Sequence, residues 1–359
     1  MPQYLNALEP AGLLQHFAEH PPKDFLPRRS PEGGPSFLAR FDLLTTVDAE
    51  DLQQFMRLPC ARQLRRLLRW NTCFYGTTVS EYAPMPAGLS AEALCTSILK
   101  DWQRASPLLI VKDVPERSPL LSAEENAFAD EFVAACQARD FIIVEGQALA
   151  YLPIDFASEE AWLASLSSGR RRDIRRKLRA RADLQIEVWP TGDARFADAA
   201  LLDEMYQRYL EVFAQSEIHF DCLDAGFFRA VLQDAALKGQ VFFYRVAGRM
   251  IGYNLCFEHR GMLIDKYIGL HYPDARDYNL YFVSWLQNLA YAREHGLSHY
   301  VAGWTDPQIK AYLGARFTFT RHAVYVRNPL LRFVLRRLSG LFESDRAWFD
   351  SVNDDATRS

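Results

Sequence analysis

Apolar residues crowd three consecutive runs in the second half of the chain: Val241 to Val246, Met250 to Phe257 and Met262 to Leu270. Each run is rich in β-branched and aromatic residues and so predicts a strand. Ala247-Gly248-Arg249 and His259-Arg260-Gly261 punctuate them with turn chemistry, which makes the trio a β-meander. The pattern then changes to a helical period. Leu280, Phe282, Val283, Leu286, Leu289, Ala290 and Ala292 set an apolar face that ends at Gly296. Leu297 to Ala302 predicts a short strand. Asp306 to Leu313 predicts a short helix stopped by Gly314, and Phe317 to Val326 a last strand.

The first half has a similar α/β character. Ala7 to Glu19 predicts a helix, followed by an irregular stretch broken by Pro21-Pro22, Pro27, Pro31 and Gly33-Gly34-Pro35. Strands are expected over Phe37 to Thr46, Thr72 to Glu81, Leu108 to Asp113, Phe141 to Glu145 and Ala148 to Ile154. Helices are expected over Asp48 to Trp70, Ala91 to Arg104 and Glu124 to Arg139. Leu184 to Pro190 predicts a further strand, and Ala194 to Gln215 and Phe227 to Leu237 two more helices. Near the end, Pro329 suits a first helical turn. Leu330, Leu331, Val334, Leu335 and Leu338 form an apolar stripe beside Arg332, Arg336 and Arg337. That helix is expected to dock on the body; the alternative is peripheral contact with a membrane surface or a partner.

The order of meander, helix, strand, helix and strand resembles the core of the GNAT acyltransferases, and in particular their FemAB-like branch, with the likeness strongest from Leu184 to Arg327. Lys310-x-x-x-Gly314 is similar to that family's closing motif. The resemblance implies an α/β fold of tandem GNAT-like domains, each a mixed, mostly antiparallel sheet flanked by helices. The expected divisions are an N-terminal arm (1–36), a first GNAT-like domain (37–155), a basic helical junction (156–183), a second GNAT-like domain (184–327) and a C-terminal helix and tail (328–359). It implies an N-acyltransferase that moves an acyl or aminoacyl group to a small-molecule or peptide-like amine. No cofactor would be bound permanently. The co-substrate would be an acyl-CoA, an acyl-carrier thioester or an aminoacyl-tRNA, with tRNA or an acyl carrier protein as a partner. A non-catalytic binding or scaffold protein on a decayed GNAT fold is the alternative.

Amide formation requires that an amine lose a proton, that an oxyanion be held and that the leaving group be protonated. Asp265 and Lys266 interrupt the third meander strand with charge, which is costly there unless paired. Neighbours in a strand point to opposite faces, so one of the two faces any cleft. Asp265 is the candidate base or amine anchor and Lys266 a substrate contact; a paired buried acid would be the structural explanation. Lys310 is the candidate for stabilising developing charge and Tyr312 the candidate acid, against plain helix-surface roles. His219 and Asp221, in the loop between two helices, are candidates for deprotonating or binding the acceptor. Tyr253 and Asn254 are candidates for amide recognition, since Asn254 in an apolar strand needs hydrogen-bond partners. Trp304 lies at the rim of the short strand, and Asp306 suits a helix N-cap before Pro307.

By resemblance, Arg276 and Asn279 stand where the family holds the CoA pyrophosphate on backbone N–H groups at a helix start. Asn279 replaces a glycine and tolerates a left-handed backbone. Asp277 and Tyr281 depart from the pattern, one in charge and the other in bulk. Ser168 to Arg181 reads SGRRRDIRRKLRAR. Arg171 and Arg175 share one helical face and Arg172, Arg176 and Arg179 another, a density suited to phosphate. Pairing with local acids is the other explanation.

Composition narrows the classes. The 359 residues carry 49% hydrophobic and 13% aromatic side chains, enough for packed cores. A net charge of -4 argues against a general nucleic-acid binder. The six cysteines are scattered without a C-x-x-C pair, so free thiols in a reducing cytoplasm are expected and no metal site. No signal peptide and no run near the ~18 apolar residues of a membrane span is evident. The expected location is cytoplasmic. No G-x-S-x-G, Walker A or H-E-x-x-H sequence is present, which removes serine-hydrolase, P-loop and zincin classes.

Overall fold

The computed structural model describes residues 3–42, 69–102, 105–216 and 220–338. In chain order the strands are β1 (Tyr4–Leu5), β2 (Leu26–Arg29), β3 (Pro35–Asp42), β4 (Arg69–Tyr75), β5 (Met85–Pro86), β6 (Leu108–Glu116), β7 (Ile142–Pro153), β8 (Gln185–Pro190), β9 (Gly239–Val246), β10 (Arg249–His259), β11 (Met262–Leu270), β12 (His299–Gly303) and β13 (Arg316–Val326). The helices are α1 (Ala11–Glu19), α2 (Ala91–Trp102), α3 (Ala123–Gln137), α4 (Glu159–Ser165), α5 (Ser168–Leu178), α6 (Ala199–Phe213), α7 (Ala225–Gln233), α8 (Asp274–Asp277), α9 (Leu280–Glu294), α10 (Pro307–Tyr312) and α11 (Pro329–Leu338).

The chain forms two compact units, each discontinuous in sequence. One comprises Met1–Ala7, Asp24–Ala148 and Thr318–Ser359. In it β2, β3 and β4 run antiparallel, β4 pairs parallel with β6, and β6 pairs antiparallel with β13. Helices α2 and α3 cover this sheet through Leu94, Ile98, Trp102, Phe132 and Val133. The other unit comprises Leu8–Lys23 and Leu149–Phe317. Its strands β8, β9, β10 and β11 are antiparallel, β11 pairs parallel with β12, and β12 pairs antiparallel with the end of β7. The architecture is thus a mixed, mostly antiparallel sheet flanked by helices.

The meander forms where the sequence places it. Both of its turns put two successive residues at positive φ, Ala247 (48°) with Gly248 (79°) and Arg260 (53°) with Gly261 (71°). Turns of that kind match the right-handed twist of a hairpin. Helix α9 is apolar on nearly all sides. Leu280, Phe282, Val283, Trp285, Leu286, Leu289 and Ala292 are all buried, which makes it the centre of the second unit's core.

Several expectations are corrected. The stretch expected to be irregular before Ser36 contains β2, which tolerates Pro27 because it is an edge strand. Helix α1 starts at Ala11 rather than Ala7 and buries Leu13, Leu14 and Phe17 within the second unit. The strand expected to run to Glu81 ends at Tyr75. The helix expected over Ala194 to Gln215 is broken at Asp198, whose side chain caps α6 by accepting from the Ala200 N–H. The helix expected over Asp48 to Trp70 lies outside the described residues, except that Arg69 and Trp70 are in β4. Among the described residues no helix is long and apolar enough to cross a membrane.

Candidate functional site

The parallel pairing of β11 with β12 is brief. It joins Met262, Leu263 and Ile264 to His299, Tyr300 and Val301 and then stops. Strand β11 continues to Leu270 and β12 to Gly303, so the two diverge from Asp265 onward. On its other side β11 carries a bulge. Leu255 faces Tyr267 and Cys256 faces Asp265, which leaves Lys266 as the extra residue. The divergence and the bulge fall at the same place, and both backbone irregularities centre on the charged pair.

Asp265 and Lys266 turn to different partners. The Asp265 carboxylate accepts from Asn254 Nδ2 at 2.7 Å, from Asn288 Nδ2 at 3.2 Å and from the Tyr300 hydroxyl at 2.6 Å. Asn288 Nδ2 also donates to Asn254 Oδ1 at 2.7 Å and to the Tyr300 oxygen at 3.1 Å. Asn254, Asn288 and Tyr300 are buried, while Asp265 is half-buried. Three strands and α9 therefore each contribute one member to a closed polar cluster with the carboxylate at its accessible end. Burial and the neighbouring Asp265 push the Tyr300 phenol well above its ordinary range and keep it protonated, as a donor must be. Lys266 instead pairs with Glu9 at 3.3 Å, with side chains only 7% and 1% exposed.

Lys310 is buried, and its position is tied to the divergence by Gly303. A Cβ added at Gly303 would lie 3.9 Å from both Lys310 Nζ and the Asp265 carbonyl oxygen. Gly303 has φ +77°, so it is the residue that ends β12 and lets the chain turn toward α10. Asp306 stands at the N-cap of α10 with φ 53° but makes no side-chain capping bond. Its carboxylate and that of Asp265 raise the Tyr281 phenol, after burial as the main cause. Tyr281 thus lies within electrostatic reach of both acids.

The remaining candidates fall in two groups. Near α9, Asn279 adopts φ 48° at the helix start, the left-handed backbone its side chain permits. Arg276 is exposed, donates to Gln215 Oε1 at 3.3 Å and stacks over Tyr272 at 5.2 Å. The basic helix α5 approaches the same turn. Lys177 Nζ sits 3.9 Å from the Phe282 ring centroid and 2.9 Å from Asp173 Oδ2. Tyr312 donates to Asp173 Oδ2 at 2.8 Å. Burial and that hydrogen bond raise the Tyr312 phenol, whereas Arg176, Lys177 and Tyr312 hold Asp173 well below the usual carboxylate range. Arg171 donates to the Ala164 carbonyl at 3.1 Å, and Arg175 pairs with Glu160. Local pairing therefore engages these two arginines.

Elsewhere, Tyr253 is fully buried, and its ring fills the space a side chain at Gly269 would need. Trp304 and Asp221 are half-buried; burial raises the Tyr209 phenol, the Leu223 N–H donating to its oxygen lowers it, and Asp221 adds to the rise. His219 lies outside the described residues. The structure brings together Asp265, Asn254 and Lys310 and adds Asn288 and Tyr300 to them, while Lys177 lies beside the first turn of α9. Only the polarity of Asn288 within an apolar helical face could have signalled the first of these.

Residues 168–311 match the family model described as acetyltransferase (GNAT) domain. Among solved structures, a C-terminal DUF2156 domain from Agrobacterium fabrum is 12% identical, with 94% of this chain and 93% of that chain covered and a TM-score of 0.53. The structure of L-PGS from Bacillus licheniformis is 12% identical over 93% of this chain and 98% of that one, with a TM-score of 0.50. FemX is 11% identical over 91% and 98%, with a TM-score of 0.51. No curated protein matches. At such identities the likeness is one of fold, and it is shared alike by FemX and L-PGS. Residues 168–311 are therefore similar to a GNAT acetyltransferase domain, within a fold of the kind those structures have.

Proposed function

We propose that the protein is an amide-forming N-acyltransferase of tandem GNAT-like build and FemAB-like type. It transfers an acyl or aminoacyl group to an amine from a CoA or carrier thioester or from an aminoacyl-tRNA. The observation that carries this reading is the divergence of β11 from β12 at Asp265, beside buried Lys310. The first unit supports the tandem reading. Its antiparallel β2, β3 and β4 are followed by α2 and by β6 parallel to β4, the order also followed by β9, β10, β11, α9 and β12. The reaction belongs to the unit formed by Leu8–Lys23 and Leu149–Phe317.

In the reaction the amine nitrogen attacks the carbonyl carbon, a C–N bond forms and the C–S or C–O bond of the donor breaks. The amine releases a proton, and the leaving sulfur or oxygen takes one. Asp265 already accepts from three donors, which occupy its oxygens. That supports anchoring an ammonium group in the acceptor over acting as a strong base. Lys310 stabilises negative charge developing on the carbonyl oxygen. Tyr281, kept protonated by burial and two carboxylates, is the acid proposed for the leaving group. Lys177 beside the first turn of α9 favours a donor carrying phosphate.

The test is product formation, followed by mass spectrometry, from acyl-CoA and charged-tRNA donors with amine acceptors. Asp265→Ala and Lys310→Ala are each expected to cut turnover at least about tenfold with the circular dichroism unchanged. Wild-type turnover in both folded variants would remove this site. A scaffold function, favoured by the bulk of Tyr281 near the turn, would give donor binding without product.

A further inference from the structure

Helix α11 inverts the expected docking. Its first turn is fixed by Asn328, whose Oδ1 accepts from the Leu330 N–H at 2.9 Å and the Leu331 N–H at 3.3 Å. Its polar side faces the first unit. Arg332 pairs with Asp140 at 3.2 Å and stacks over Tyr325 at 5.3 Å, and Arg336 approaches the same carboxylate at 3.8 Å. At roughly 100° per residue, Leu330 and Leu331 lie on the side away from that anchor and Phe333 on its flank. They are 77%, 40% and 58% exposed. The helix is therefore held by its charges and offers its apolar side to the surroundings, the reverse of a helix docked on a core.

The charge around this face selects its occupant. From Arg327 to Leu338 the sequence holds Arg327, Arg332, Arg336 and Arg337 and no acidic residue, in a chain whose net charge is -4. Arg337 lies within the apolar arc, its guanidinium 4.8 Å from the Phe333 ring centroid, and is exposed. Arg327 is exposed just before the helix. Large apolar side chains with an arginine riding among them match the boundary between acyl chains and headgroups, where apolar area and attraction to phosphate act together. We propose that α11 seats the protein on an anionic lipid surface. Leu330, Leu331 and Phe333 enter the headgroup layer, and Arg337 and Arg327 meet lipid phosphates.

The test is sedimentation of the full chain with vesicles of phosphatidylcholine alone or with about 30% phosphatidylglycerol. Vesicle binding needs no donor or acceptor, so its outcome is separate from that of the acyl-transfer reading. The anionic vesicles are expected to retain the protein roughly tenfold better than the neutral ones. Leu330→Ser with Phe333→Ser should abolish most of that retention, and Arg337→Glu should weaken it at least about fivefold. All three substituted positions are exposed, and unchanged thermal unfolding verifies the fold. Three results would overturn the proposal: equal retention by both vesicle types, retention unaffected by the substitutions, or lipid-free dimerisation that disappears in Leu330→Ser with Phe333→Ser.

Discussion

Replacing Tyr300 with phenylalanine removes one oxygen from the centre of the Asp265 cluster and leaves the ring in place. That oxygen donates to Asp265 at 2.6 Å and accepts from Asn288 at 3.1 Å. The ring keeps its edge contact with Trp285 at 5.0 Å, so packing changes little. Hydrogen bonds to charged groups contribute about 1.5–3 kcal/mol. Asp265 retains Asn254 and Asn288, and Asn288 retains Asn254, so the loss falls near the middle of that range, about 2 kcal/mol. For a unit of this size the melting temperature should drop by roughly 4–8 °C. Urea unfolding should give the same free-energy change with an unaltered slope. A double-mutant cycle with Asp265→Asn should return a coupling of about 1 kcal/mol or more, since the two groups touch. A melting temperature within about 1 °C of wild type would contradict a role for the Tyr300 hydroxyl in holding Asp265. It would mean that the cluster imposes no order on the carboxylate.

Other consequences are equally direct. Glu9→Gln leaves Lys266 without its buried anion and is expected to cost on the order of 2–3 kcal/mol in chemical unfolding; a loss near zero would separate α1's segment from the meander's stability. His322 accepts from the Asp113 N–H through Nδ1 at 3.0 Å, which requires an unprotonated Nδ1. Burial pushes the imidazole below its usual 6.5, against Asp113 and with Lys112. The unfolded chain therefore binds a proton that the fold rejects, so this contribution is complete above about pH 6.5 and fades as the pH falls below it. His322→Gln should flatten the decline in melting temperature between about pH 6.5 and 5, and an unchanged decline would contradict the assignment.

The elements around the site were legible because each has a local signal. Gly248 and Gly261 mark the meander's turns, Gly296 and Gly314 mark helix ends, and α9 shows a dense apolar face. Asp265 stood out because a carboxylate in an apolar strand demands partners, and Asn254 for the same reason. The partners themselves were not legible. Asn288 and Tyr300 sit 23 and 35 residues from Asp265, and each taken alone is an ordinary polar residue. Glu9 reaches Lys266 across 257 residues, a pairing no local pattern encodes. The bulge at Lys266 carries no glycine to announce it. Strand β2 was hidden by Pro27, since tolerance of proline depends on being at an edge. In α11 the apolar stripe was visible in the sequence, but its direction is set by Asp140, nearly two hundred residues upstream.

Hydrogen exchange with mass spectrometry, run with and without the donor that supports turnover, tests the central assignment most directly. Exchange should slow in peptides spanning 262–270, 279–285 and 299–314, which enclose the divergence at Asp265, Gly303 and Lys310. Protection confined to peptides of the first unit, such as 108–118, or none with saturating donor, would contradict acyl transfer at the opening between β11 and β12.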